Sequence, residues 1–199
     1  GRPLPSFEVK LAADGELLAR GPSVFSGYWN KPQQTAECFD EDGFFRTGDI
    51  ARIDDDGFVF ITDRKKDLIV TAGGKNVAPQ PIESRLKQSP LVDSAVLIGD
   101  GRPYIAVLLS PSREAVEAWA RENGLPTESL AALVAHPELV RLFARAVEET
   151  NVGLARFEQI KRFRVLPEML SVEGGALTPT LKVKRRVVCE RYAELVEGM

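Results

Sequence analysis

Three Asp-Gly pairs, Asp14-Gly15, Asp42-Gly43 and Asp56-Gly57, punctuate the first 62 residues of the chain. Asp-Gly supplies the positive backbone angles of a tight turn, which holds the intervening segments to short antiparallel strands. Phe7–Leu11 alternates into the first pair, and Glu16–Arg20 is the returning strand. Phe44-Phe45 and Phe58–Ile61 follow the other two pairs with aromatic and β-branched residues that suit a pleated surface. Gly21, Pro22 and Gly27 break this pattern before Tyr28 and Trp29, and Thr35–Phe39 predicts a short helix. Residues 1–63 are therefore expected to form a β-rich, distorted, barrel-like subdomain.

The pattern changes at Asp63-Arg64-Lys65-Lys66-Asp67, a charged run of the kind found between domains. Leu68–Val70, the glycine turn Ala72-Gly73-Gly74-Lys75 and Asn76–Ala78 predict a small hairpin. Pro81 suits the first turn of a helix through Gln88, with Ile82, Arg85 and Leu86 at helical spacing. Ser94–Ile98 and Tyr104–Leu109 predict strands around the Gly99–Pro103 turn. Helices are expected at Ser112–Asn123, closed by Gly124, and at Pro137–Gly153, with Leu139, Leu142, Phe143, Ala146 and Val147 on one face. Ile160–Leu166 predicts a strand, Gly174-Gly175 a turn and Val187–Val196 a final helix. Residues 64–199 thus form an α+β domain, a small sheet flanked by helices.

A chain of 199 residues with 44% hydrophobic and 28% charged residues has a globular balance. No run of eighteen apolar residues is present, so no segment spans a membrane. The net charge of -3 gives no general bias toward nucleic acid. Cys38 and Cys189 lack metal-site spacing and suit reduced thiols and a cytoplasmic setting. His136 precedes a helix, has no nucleophile motif to partner it, and is expected to be solvated. No metal site is expected. The chain begins at Gly1, within what reads as a structured segment, and this points to a piece of a longer protein.

Three segments carry candidate chemistry. The first is Phe45-Arg46-Thr47-Gly48-Asp49. A carboxylate beside a glycine can accept both hydrogen bonds of a ribose diol, or cap a turn. In the second, Arg64 could reach a phosphate or ribose, while Gly73 and Gly74 allow close backbone approach to a ligand or simply a tight hairpin. The third, Leu177–Arg186, delivers Lys182 on a Thr/Pro-rich loop. Such a lysine can stabilise charge building on a phosphoryl group, or belong to a basic surface. Lys161, Arg162, Arg164, Lys182, Lys184, Arg185 and Arg186 could also form a cluster for nucleic acid, although no nucleic-acid motif accompanies them.

The order and spacing of these segments resemble the adenylate-forming superfamily of acyl-CoA synthetases, luciferases and peptide-synthetase adenylation domains. Gly15-Glu16-Leu17 through Gly27-Tyr28 is similar to its GEL…G…GY strand motif. Phe45–Asp49 resembles its (Y/F)RTGD motif, Arg64–Glu83 its hinge and glycine loop, and Lys182 stands in the place of its catalytic lysine. DRKKDLIVTAGGKNVAPQPIE, RFEQIKRFRVLPE and LTPTLKVKRR resemble bacterial long-chain acyl-CoA synthetases. Many relatives place glycine before the catalytic lysine, where this chain has Leu181.

The resemblance implies a fatty acid–CoA ligase working on fatty acid, ATP and CoA with Mg2+, by way of an acyl-adenylate. It implies that Asp49, Arg64 and Lys75 contact nucleotide, that Lys66 is the hinge, and that Gly73 and Gly74 line the CoA tunnel. Small molecules are its implied partners. Nucleic acid is not among them, and peripheral membrane contact is left open for a lipid-handling enzyme. The superfamily's phosphate-binding loop is not in these residues, so the chain alone is expected to be inactive. Loading of an acyl carrier protein, or a free-standing CoA- or nucleotide-binding module, are the alternatives.

Overall fold

The computed structural model describes residues 1–199. The chain divides into two compact units, Gly1–Leu68 and Ile69–Met199.

The first unit is built on β1 (Glu8–Leu11), β2 (Glu16–Arg20), α1 (Pro32–Glu37), β3 (Phe45–Ile53) and β4 (Val59–Arg64). The strands pair antiparallel in the order β1-β2-β3-β4, so the sheet is open at both edges rather than closed into a barrel. Gly15, Gly43 and Gly57 all take positive φ, as the Asp-Gly turns require. The apolar core is thin: its buried residues are Leu18, Phe44 and Ala51. Phe25 packs beside Tyr28, Phe39 and Phe45 with ring centroids 5.0–5.9 Å apart. A single 3-10 turn, Lys65–Asp67, ends the unit.

The second unit opens with the hairpin β5 (Ile69–Val70) and β6 (Asn76–Val77), then α2 (Pro79–Leu86), β7 (Val92–Ile98) and β8 (Ile105–Pro111). Next come α3 (Arg113–Glu122), α4 (Leu130–Val134), α5 (Pro137–Asn151), β9 (Ile160–Val165), α6 (Arg185–Arg191) and α7 (Ala193–Glu197). The sheet order is β7-β8-β9, with β8 antiparallel to β7 and parallel to β9. Every residue of β8 is buried. Alternation splits its side chains between two cores. Ile105, Val107 and Leu109 pack with residues of α2 to α5, while Ala106 and Leu108 pack with Leu166, Leu170, Leu177, Val188 and Met199. Burial on both faces explains why this strand reads as a continuous apolar run. Burial of each Val, Leu or Ile among them contributes about 1.5–3 kcal/mol.

α2 begins at Pro79, two residues before Pro81. Both prolines fit because the N–H groups of a first turn have no helical partner to lose. Arg85 on α2 donates to the Val152 carbonyl at 2.9 Å and covers the C-terminal end of α5. Asn151 pairs with both backbone groups of Ile160 and fixes the start of β9.

Three expectations need correction. Leu142 is exposed, because the buried stripe of α5 runs through Leu139, Phe143, Ala146, Val147 and Thr150 and leaves Leu142 past its margin. His136 is half-buried rather than fully solvated. Its ring lies 5.4 Å from Trp119, and its Nδ1 is buried without a hydrogen-bond partner. The final helix is two helices, broken at Tyr192, whose hydroxyl donates to Glu168. The last turn is redirected by Arg102, which donates to the Val196 carbonyl, and by Tyr104, which donates to that of Met199. Burial and the Glu168 carboxylate push the Tyr192 phenol up to about 12.

Both cysteines are free thiols, and burial pushes the Cys189 thiol upward. No helix is long and apolar enough to cross a membrane.

Candidate functional site

Asp49 owes its position to an irregularity in the sheet. Glu16 pairs with Ile50 and Leu18 with Arg46, so two steps along β2 match four along β3. Three residues, Thr47-Gly48-Asp49, thus stand opposite Leu17 alone, two more than a regular ladder holds, and they buckle away from β2. Gly48 takes φ +72, which a side chain would resist. The Thr47 hydroxyl donates to the Leu17 carbonyl at 2.7 Å and accepts from the Asp49 N–H at 3.1 Å. Asp49 lies opposite Arg64 on β4, and their side chains meet at 3.0 Å. The structure thus brings these two nominated nucleotide contacts together. The carboxylate is half-buried and the guanidinium exposed.

Behind this bulge lies a network that the sequence reading passed over. Glu16 is 3% exposed. One of its oxygens accepts from the Gly48 N–H at 3.0 Å, and the other meets Lys65 at 2.9 Å and Arg46 at 3.6 Å. Lys65 also reaches Asp14 at 2.6 Å. The available signal was an acidic residue inside an otherwise apolar strand. The residue before the nominated hinge is therefore tied to the first unit. Lys66 itself is exposed and has no polar partner.

The donated Lys65 hydrogen bond holds the Asp14 carboxyl below its ordinary value of 3.8. Hydrogen bonds to Asp14 and Glu16 raise Lys65 above 10.5. A depressed carboxyl stabilises the fold above its unfolded value, and that contribution is lost as pH falls through the folded one. A raised ammonium stabilises below its unfolded value, and that contribution is lost as pH rises through the folded one. Thermal unfolding across pH should show both losses, below 3.8 and above 10.5. Lys65→Met should flatten both limbs. Parallel profiles for variant and parent would rule out this pair as their source.

In the second unit, the glycine turn closes the β5–β6 hairpin. The Gly74 N–H donates to the Thr71 carbonyl at 2.8 Å, and the Thr71 hydroxyl accepts from the Lys75 N–H at 3.1 Å. Gly74 takes φ +70, so its own turn needs glycine. Gly73 differs. Its φ is ordinary and a Cβ there would meet nothing within 4 Å. Lys75 is exposed with no side-chain partner.

Lys182 stands on a second hairpin. Leu177 bridges Val183 at the stem. The Thr178 N–H donates to the Lys182 carbonyl at 2.8 Å, and the Thr178 hydroxyl accepts from the Lys182 N–H at 3.0 Å. The ammonium is exposed and unpartnered. Leu181 takes φ +58, a left-handed conformation that costs a non-glycine residue about 1–2 kcal/mol. That angle is one that glycine would adopt without strain. The suggested basic cluster is partly committed elsewhere, since Arg185 pairs with Glu83 and Arg186 with Glu190.

A cavity of about 360 Å³ in the first unit is lined by Arg20, Val24, Phe25, Phe39 and neighbours. Its one charged group, Arg20, is engaged by Glu8 and the Asp42 carbonyl. None of the nominated residues lines it.

The family described as AMP-binding enzyme C-terminal domain matches residues 66–199. The chain belongs to the AMP-binding, adenylate-forming enzymes. Among members of this family, it is 45% identical over 200 residues to the long-chain-fatty-acid–CoA ligase FadD15 of Mycobacterium tuberculosis, covering 100% of the chain and 33% of the relative. Its structure resembles the adenylation domain of a carboxylate reductase from Mycobacterium chelonae, with TM-score 0.71 and 26% identity over 99% of this chain and 31% of that one. It also resembles the A-PCP didomain of a carboxylic acid reductase from Segniliparus rugosus in complex with AMP, with TM-score 0.68 and 25% identity over 99% of this chain and 28% of that one. The chain spans about a third of the length of the curated relatives it matches.

Proposed function

We propose that this chain is the C-terminal part of an ATP-dependent long-chain fatty acid–CoA ligase. The observation that carries the proposal is the 45% identity to such a ligase across 100% of the chain. In the first half-reaction, a fatty carboxylate attacks the α-phosphate of ATP, giving acyl-adenylate and pyrophosphate. In the second, the CoA thiol attacks the acyl carbon and AMP leaves.

Asp49 takes the ribose hydroxyls and Arg64 contacts the nucleotide beside it. Lys182 stabilises charge at the α-phosphate in the first step only. Rotation about Lys66 withdraws it and presents the Gly73–Lys75 turn, with Gly73 and Gly74 lining the thiol's path and Lys75 on the nucleotide. A two-state rotation suits one pocket to two transition states with opposed needs: positive charge at phosphorus, then room for a thiol. The exposed, unpartnered ammonium of Lys182 and the open space around Gly73 support these assignments. No group of three His, Cys, Asp or Glu side chains that could hold a metal is found in the chain. Mg2+ enters this proposal only with the ATP phosphates.

The second reading, transfer to a carrier protein, draws on the likeness to an A-PCP didomain. An acceptor assay on the ligase carrying this chain separates the two. Long-chain fatty acid and ATP should yield acyl-CoA, AMP and pyrophosphate, and turnover with a carrier protein but not with CoA would overturn the proposal. The isolated 199 residues should show no ATP–pyrophosphate exchange. Measurable exchange would contradict the assignment of the phosphate-binding pocket to residues outside them.

A further inference from the structure

The open edge of β7 carries an ion pair that the reading above does not use. β7 borders only β8 in its sheet, which leaves its other edge without a strand partner. At Leu97 both backbone groups facing that edge are taken up by charged side chains. The Leu97 N–H donates to Glu83 Oε1 at 2.8 Å, and the Leu97 carbonyl accepts from Arg185 Nη1. Arg185 Nη1 also meets Glu83 Oε1 at 2.8 Å, which closes a three-membered circuit. The side chains are 16% and 32% exposed, so water screens this pair less than a surface bridge.

Its location in the chain matters more than its strength. Glu83 lies in α2, the helix that follows the β5–β6 hairpin with its glycine turn. Arg185 is the first residue of α6, three positions beyond Lys182. Between them in the chain, the lysine hairpin is held mostly by bonds within itself. Leu177 bridges Val183, the Lys184 N–H donates to the Ala176 carbonyl, and Thr178 pairs with both backbone groups of Lys182. The hairpin tip carries the left-handed Leu181. These bonds fix the hairpin's own shape, and Ala176, Leu177 and Val183 seat its stem on the second core. Beyond Lys182, the first charged side chain that ties the loop to α2 is Arg185.

We infer that Glu83 and Arg185 are positioning residues for Lys182, locking the base of the catalytic-lysine loop to the helix that carries the glycine turn. The pair touches no substrate. It sets where the ammonium stands, and it makes the two alternating loops move as one body. The inference rests on the assignment of Lys182 to the adenylation step.

The test uses the intact ligase with its two half-reactions assayed separately. Arg185→Ala should lower kcat of carboxylate-dependent ATP–pyrophosphate exchange by roughly tenfold to a hundredfold, as misplacing a catalytic group does. KM for ATP should stay close to the parent value. Thioester formation from supplied acyl-adenylate should stay within about threefold. Arg185→Lys, which can still donate to Glu83 and Leu97, should recover most of the exchange. Unchanged exchange in Arg185→Ala, or equal loss in both half-reactions, would overturn the inference. Lys182→Ala is the companion control. If it spares exchange, the underlying assignment fails. If it abolishes exchange while Arg185→Ala does not, only the positioning role fails.

Discussion

Lys182→Ala in the intact ligase is expected to lower carboxylate-dependent ATP–pyrophosphate exchange by about 10²–10³ while thioester formation from supplied acyl-adenylate stays within a few-fold. The magnitude is that of removing one preorganised charge from a site where negative charge develops. The asymmetry follows from the chemistry. Attack of a carboxylate on the α-phosphate brings two anions together and needs a cation between them. Thiol attack on a mixed anhydride releases AMP and has no such need. The structure adds a control. The Lys182 side chain is exposed and has no partner, so its truncation should leave unfolding of the chain nearly unchanged, within about 0.5 kcal/mol. A loss confined to exchange then reflects chemistry and not folding. Equal losses in both half-reactions would remove Lys182 from its assigned role.

Gly73→Leu should give the opposite pattern. Exchange should be kept, and CoA-dependent conversion of acyl-adenylate should fall by roughly ten- to hundredfold, the cost of about 1–3 kcal/mol when a side chain is forced into a filled space. The two glycines of this turn are not equivalent. Gly74 needs glycine for its own φ of +70, so a side chain there disturbs the turn whatever CoA does. Gly73 has an ordinary φ and open space around its missing Cβ, so the second unit itself tolerates a side chain. A thioesterification defect in Gly73→Leu therefore reports on what occupies that space during turnover. Normal CoA-dependent turnover would argue against the tunnel role.

Local patterns in the sequence carried much of the fold. The Asp-Gly turns of the first unit were legible because each needs only two residues and a positive φ at glycine. β8 was legible because burial on both faces writes an unbroken apolar run. α4 was missed because its five residues are too few to show a helical period. The break at Tyr192 was missed because its cause is tertiary: a hydroxyl bond to Glu168, with Arg102 and Tyr104 drawing in the last turn. His136 read as a solvated residue because nothing in its neighbours names Trp119 as its ring partner.

The candidate site divides along the same line. Asp49, Arg64, Gly73, Lys75 and Lys182 could be named because short motifs carry them. Glu16 was quoted only as part of a motif, and Arg185 only as one basic residue among several. Their roles depend on contacts with residues 49 and 102 positions away, Lys65 and Glu83. Leu181 shows the reverse relation. The departure from the usual glycine was visible in the sequence, and the structure supplies its meaning, a left-handed residue at the tip of the lysine hairpin.

The central claim is that two hairpins of one unit serve one pocket in turn. It is tested most directly by the ratio of the two half-reaction rates, exchange over thioesterification, measured for Lys182→Ala and Gly73→Leu in the same intact ligase. The account predicts that the ratio falls in Lys182→Ala and rises in Gly73→Leu. A ratio that moves the same way in both variants, or in neither, would contradict it.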